Sequence, residues 1–182
     1  MKISYAYRID IDHTITEPPF YEENVQSCIQ QYIQAGVVTP EETTHMQYHP
    51  QLYSLPHVAF TYRPLPGVVE VLQHLAQQDA SLQYFTLRNS FDPRQCQQIH
   101  ENTHLWLEHH LFPCPRDVHF FWKLADKLLG ALEAPEQQIV LIDDRPGELL
   151  AAYQKIVEHV PRLAQQIRER VILVGFWWAD LA

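Results

Sequence analysis

The alternation of short β-rich runs with helical stretches constrains this chain most, because it dictates a parallel α/β sheet. The first run, Ile3 to Ile11, ends in acidic residues. A second, Ser81 to Thr86, follows a helix that starts at Pro66-Gly67 and carries Val68, Val69, Val71, Leu72 and Leu75. Those positions recur at helical spacing and give one apolar face to lay on a sheet. Further helices are expected from Pro93 to about His110, from Lys123 to Glu133 and from Pro146-Gly147 to about Arg168. Strands are expected at Asp117 to Phe121, Ile139 to Ile142 and Val171 to Phe176. The sum is a three-layer α/β fold around a five-stranded parallel sheet.

One segment breaks the alternation. Residues 17–62 hold an amphipathic helix (Tyr21 to Ala35) and then a Thr-, Glu- and His-rich stretch with three prolines. Some 45 residues are far too many for an ordinary connection, usually about 2–6 residues long. The expectation is a core domain of residues 1–16 and 63–182, with 17–62 as a small helical cap over the strand ends.

Ligands of parallel α/β sheets bind outside the carboxyl ends of the strands. There the first strand offers Asp10-Ile-Asp12-His-Thr14, the second Thr86, and the fourth Asp143-Asp144. Four carboxylates at one edge repel each other unless a divalent cation sits among them. Oxygen ligands, with no Cys or His pair at ligand spacing, favour Mg2+ over zinc. On an extended segment residues i and i+2 point the same way, so Asp10 and Asp12 can face one pocket. One can then act as a nucleophile and the other as an acid and base.

The segment Asp10-Ile-Asp-His-Thr14 resembles motif I of the haloacid dehalogenase (HAD) superfamily, Thr86 its motif II, and Ile142-Asp143-Asp144 its acidic motif IV. They occur in that family's order over nearly the whole chain. Within the superfamily, Arg63-Pro-Leu-Pro-Gly-Val-Val-Glu70, Thr86-Leu-Arg88, Thr103-His-Leu-Trp-Leu107, Asp126-Lys127 and Leu141-Ile-Asp-Asp-Arg-Pro146 are similar to the 5′(3′)-deoxyribonucleotidases. His13 is a departure, standing where that family usually has Gly.

The resemblance implies a Rossmann-like HAD fold and a magnesium-dependent phosphomonoesterase working through an aspartyl-phosphate. Asp10 would attack phosphorus, Asp12 would protonate the leaving alkoxide and later activate water, and Thr86 would bind a phosphate oxygen. Mg2+ would lie between Asp10, the Asp12 carbonyl and Asp143 or Asp144. Thr14, Arg88 and Tyr21 are the expected substrate contacts, with Phe20 and Tyr53 as further rings from the cap. The balancing lysine is Lys127, which matches the nucleotidase pattern, or Lys123, which follows the third strand directly. A (deoxy)nucleoside monophosphate is the favoured ester. The rivals are a phosphosugar phosphatase or mutase on the same site, and a non-catalytic binding protein of HAD fold.

Composition narrows the partners. The net charge of −9, without a Lys/Arg run, argues against duplex nucleic acid. The apolar share of 46% supports a true core. No stretch approaches the ~18–20 apolar residues of a membrane helix, and MKISYAYRID lacks the apolar core of a signal peptide. Cys28, Cys96 and Cys114 show no CxxC spacing. A cytoplasmic monomer or homodimer acting on a small-molecule phosphate ester is the expectation. Glu148 reads as a first-turn acid, His100 and His104 as solvated helix positions, Trp106 as core and Trp177-Trp178 as packing.

Overall fold

A computed structural model of the 182-residue chain describes residues 4–20, 24–78 and 80–175. In chain order its strands are β1 (Tyr5–Ile9), β2 (Thr16–Glu17), β3 (Arg63–Pro64), β4 (Ser81–Thr86), β5 (Val118–Phe120), β6 (Gln138–Ile142) and β7 (Val171–Val174). Its helices are α1 (Val25–Gln34), α2 (Pro40–Thr43), α3 (Pro56–Ala59), α4 (Val68–Gln77), α5 (Pro93–His109), α6 (Leu124–Ala131), α7 (Pro146–His159) and α8 (Pro161–Arg170), with a 3-10 helix at His49–Ser54. Five strands form one sheet in the order β5-β4-β1-β6-β7, every neighbouring pair parallel. The expected five-stranded parallel α/β fold is the observed one.

The period of two along each strand sorts side chains onto the two faces. Ile9, Leu82 and Tyr84 meet Leu72 of α4 and Ile99, Trp106 and Leu107 of α5. Ala6, Phe85, Ile139 and Leu141 meet α6, α7 and α8 through Leu128, Leu149 and Ile167. Trp106 is wholly buried, as its neighbours in sequence lead one to expect. Buried residues of the insertion (Cys28, Ile29, Tyr32, Leu52, Tyr53 and Val58) belong to the same apolar cluster as α4 and α5. Antiparallel β2 and β3 close its neck, pairing Thr16 with Pro64 and Glu17 with Arg63.

Prolines explain the main departures from the expected element bounds. The long last helix is two, because Pro161 has no N–H and drives the residue before it away from helical geometry. Val160 accordingly sits at φ −140, ψ 69 between α7 and α8. The three prolines in the stretch after α1 each enter the first turn of a short helix: Pro40 in α2, Pro50 in the 3-10 helix and Pro56 in α3. Proline's fixed φ and missing donor suit that position. The first strand stops at Ile9, so Asp10 and Asp12 lie just past its end. Tyr21, Phe176 and Trp177-Trp178 fall outside the described residues.

Candidate active site

Strand register brings the acids together. Ile9 pairs with Ile142, and the Asp10 amide donates to the Ile142 carbonyl at 2.9 Å, so Asp10 and Asp143 emerge side by side. Carboxylate oxygens of Asp10, Asp143 and Asp144 all lie within 4.8 Å of one another. Lys127 of α6 fills the space between the first two. Its Nζ donates to Asp10 Oδ1 and, at 2.8 Å, to Asp143 Oδ2. All three side chains are buried. Of the two candidate lysines, Lys127 therefore reaches the acids. Lys123 is the exposed cap of α6.

Asp10 is fixed at both oxygens, since Oδ2 accepts from the Thr14 hydroxyl at 3.3 Å. That contact exists because the chain turns tightly after Asp10: Ile15 N–H donates to Ile11 C=O at 3.0 Å, and His13 takes φ 58. Glycine adopts that left-handed backbone without penalty and histidine tolerates it better than most residues, which accounts for the type of position His13 occupies. Thr86 ends β4 fully buried, its hydroxyl accepting from the Arg88 amide at 3.2 Å.

The charges of this cluster do not balance. Burial, with Asp143 adding to it against the pull of Lys127, lifts the Asp10 carboxyl to about 7. Burial and the neighbouring Asp143 lift Asp144 to about 6. Lys127 goes the other way. Desolvation lowers it, but Asp10 and Asp143 outweigh that and hold it protonated. The Lys127 ammonium and Arg145, 3.8 Å from Asp144, are two cations beside three crowded carboxylates, and a hard divalent cation with oxygen ligands relieves the excess negative charge. The donor set fits Mg2+ and lacks the nitrogen and sulfur ligands of a structural zinc site.

Asp12 stands apart from these three. Arg88, 1% exposed, grips it with Nη2 on Oδ1 at 2.7 Å and Nε at 3.1 Å from both oxygens. The Tyr53 hydroxyl adds a third donor to Oδ1 at 2.7 Å. Burial works to raise the Asp12 carboxyl, but Arg88 and Tyr53 overcome it and leave the group below its ordinary value. Arg88 in turn lies over the Tyr53 ring, 4.0 Å from its centroid, a cation–π contact.

Other expected residues fall in different places. Phe20 packs edge-on against Tyr32 at 4.9 Å within the insertion, and Tyr53 turns its hydroxyl to Asp12. Glu148, with a mostly exposed side chain, lies 3.9 Å from Arg145. The supposedly solvated His100 instead stacks on Phe120 at 3.6 Å, and His104 meets the Pro115 carbonyl at 3.0 Å. Sequence reasoning missed an aromatic pair at the same sheet edge. Phe91, in the loop after β4, stacks at 4.4 Å and 21° on Trp122, which follows β5. Phe91 is 78% exposed and Trp122 49%, so the pair is open to solvent. The readable signal was the position of each ring just past a strand end.

No protein-family model and no curated protein matches this chain. In fold it is similar to the class C acid phosphatase from Bacillus anthracis with tungstate bound, at a TM-score of 0.51 and 11% identity, over 97% of this chain and 70% of that one. A hydrolase from Pseudomonas syringae gives 0.50 at 15% identity, over 94% of this chain and 92% of that one. A haloacid dehalogenase-like hydrolase from Burkholderia xenovorans gives 0.48 at 16% identity, over 96% and 82%. At these identities the likeness is one of fold. Among the described residues no helix is long and apolar enough to cross a membrane.

Proposed function

We propose that this protein is a HAD-type phosphomonoesterase that uses Mg2+ and passes through an aspartyl-phosphate on Asp10. The observation that carries this reading is the buried Asp10–Lys127–Asp143 bridge with Asp144 beside it and a second carboxylate, Asp12, two residues away. Asp10 is oriented at one oxygen by Lys127 and at the other by Thr14, so its approach to phosphorus is set before substrate arrives.

In the first step an Asp10 oxygen bonds to phosphorus as the bond to the leaving oxygen breaks; Asp12, which Arg88 and Tyr53 hold ionised, takes up a proton as the ester binds and delivers it to that oxygen. In the second step water attacks the phosphoryl group, its proton passes to Asp12, and the Asp10 carboxylate leaves as inorganic phosphate is released. Lys127 neutralises charge on the Asp10 side throughout. Asp10, Asp143 and Asp144, with the Asp12 carbonyl, would hold the metal, which supplies charge neutralisation at the phosphoryl oxygens. Thr86, at the end of the neighbouring strand, is the hydroxyl donor for a phosphate oxygen.

The ester we favour has a planar leaving group, a nucleoside monophosphate in the first instance. Support comes from the open Phe91–Trp122 stack at the carboxyl edge of the sheet, where an aromatic ring gains about 1–3 kcal/mol by stacking. The protein acts on a small molecule rather than on duplex nucleic acid or a membrane surface. A screen of nucleotides, sugar phosphates and nitrophenyl phosphate, with magnesium and with chelator, tests the reading. Hydrolysis that chelator abolishes and magnesium restores supports it. Turnover undiminished by excess chelator removes the metal, and preference for sugar phosphates removes the nucleotide.

A further inference from the structure

Among the described residues, the insertion reaches the strand ends through the Tyr53 hydroxyl on Asp12. The backbone that carries Tyr53 is itself tied to the core helix α5. Asn102, 1% exposed, donates from Nδ2 to the Tyr53 carbonyl at 2.8 Å. Two residues earlier in the 3-10 helix, Gln51 Nε2 donates to Gln95 Oε1 at 3.1 Å. Farther along, Trp106 Nε1 donates to the Tyr62 carbonyl at 3.0 Å. Residues 49–62 are thus anchored along α5 as a fixed wall, and Tyr53 is the part of that wall turned toward the acids.

The donors on Asp12 are unevenly shared. Oδ1 receives Arg88 Nη2 and the Tyr53 hydroxyl, each at 2.7 Å, and a share of Arg88 Nε at 3.1 Å. A carboxylate oxygen has two lone pairs, so Oδ1 is saturated. Among the described residues, the hydrogen bond given to Oδ2 is that shared Nε, at 3.1 Å. The guanidinium cannot swing away to bind a substrate phosphate without abandoning this grip. Its remaining terminal nitrogen, Nη1, already faces the Thr103 hydroxyl at 3.5 Å.

We infer that Tyr53 and Arg88 are positioning residues for Asp12, locking Oδ1 so that Oδ2 is the oxygen presented to the leaving group and to the hydrolytic water. This rests on the phosphatase reading and adds to it two residues that act through Asp12 rather than on the ester. It also reassigns both side chains from the substrate contacts the sequence led one to expect. The force of the arrangement lies in the difference between the two half-reactions. An aryl phosphate with a good leaving group needs little protonation when Asp10 is phosphorylated, but breakdown of the aspartyl-phosphate still needs Asp12 as base.

The test is Tyr53→Phe, which keeps the ring over Arg88 and deletes the hydroxyl. With nitrophenyl phosphate and magnesium, kcat should fall by about tenfold or more, the usual worth of a hydrogen bond to a charged group. kcat/KM should change much less, and a pre-steady-state burst of nitrophenol should appear as phosphorylated enzyme accumulates. Arg88→Lys, which keeps the charge but loses the fork, should show the same split. A loss of mere structural support would lower kcat and kcat/KM together without a burst, and that result overturns the inference, as does an unchanged kcat. A parent protein inactive on every phosphomonoester would instead overturn the phosphatase reading. The clamp then still faces a double-mutant cycle in thermal unfolding across Tyr53→Phe and Asp12→Asn. Coupling between the two sites supports it, and strict additivity overturns it.

Discussion

Lys127→Met keeps most of the side chain's length and removes its charge from between Asp10 and Asp143. Lys127 is 0% exposed, and both partners are similarly buried, so solvent screens neither pair. Breaking a buried ion pair by deleting one partner costs about 3–5 kcal/mol, because the other charge is left uncompensated. For a chain of this size each kcal/mol moves the midpoint by about 2–4 °C, so Tm should fall by about 6–20 °C. Circular dichroism melts in chelator at neutral pH measure it. Two consequences follow from the same geometry. The deficit should shrink at pH 5, where protons can replace the ammonium, and magnesium should raise Tm more in the variant than in the parent. A fall of less than about 3 °C is what an exposed ion pair would give and would refute the buried-bridge reasoning.

Asp10→Asn should abolish turnover, while Asp12→Asn should retain the nucleophile and lose about 10²–10⁴ in rate; equal residual rates would reject that division of roles. In chelator, Asp10 and Asp144 should each contribute stability that is lost as pH rises from about 4, the unfolded carboxyl value, to their raised values of about 7 and about 6, while His13, His100 and His110, lowered by burial, pull the other way. The sign follows because a carboxyl with a raised folded value binds more protons folded than unfolded across that window. Asp10→Asn should remove the Asp10 share, so the stability of parent minus variant in thermal melts should fall as pH rises, and a difference that rises with pH would contradict it. Phe91→Ala and Trp122→Ala should lower kcat/KM for a nucleotide by about tenfold and leave a small alkyl phosphate nearly unchanged; equal losses on both would remove the stacking platform.

The sheet and its acidic edge were legible because they depend on local pattern. Period-two runs, helical spacing after Pro66-Gly67 and Pro93, and acids just past two strand ends are all written within a few residues. The pairing of Asp10 with Asp143 follows once β1 and β6 are neighbours in register, and Lys127 against Lys123 turned on which face of α6 meets the sheet. The partners of Asp12 were not legible. Tyr53 lies 41 residues and Arg88 76 residues away, and neither spacing carries a periodic signal. Their meeting depends on how residues 49–62 pack along α5, a tertiary fact. Aromatic and basic residues near a phosphate site read as substrate contacts by default, and only the hydrogen-bond geometry turns them toward Asp12. Pro161 was legible and outranked by the apolar pattern around it, although one proline suffices to divide a helix.

The central claim, a phosphoryl group carried on Asp10, is tested most directly by acid-quenching the Asp12→Asn variant during turnover of nitrophenyl phosphate and mapping the modified residue by peptide mass spectrometry. The account predicts one phosphoryl group per chain on the peptide containing Asp10, labile to hydroxylamine as an acyl phosphate is, and absent when Asp10 is also replaced by Asn. A phosphoryl group on any other residue, or turnover with no phosphorylated protein at any quench time, would contradict it.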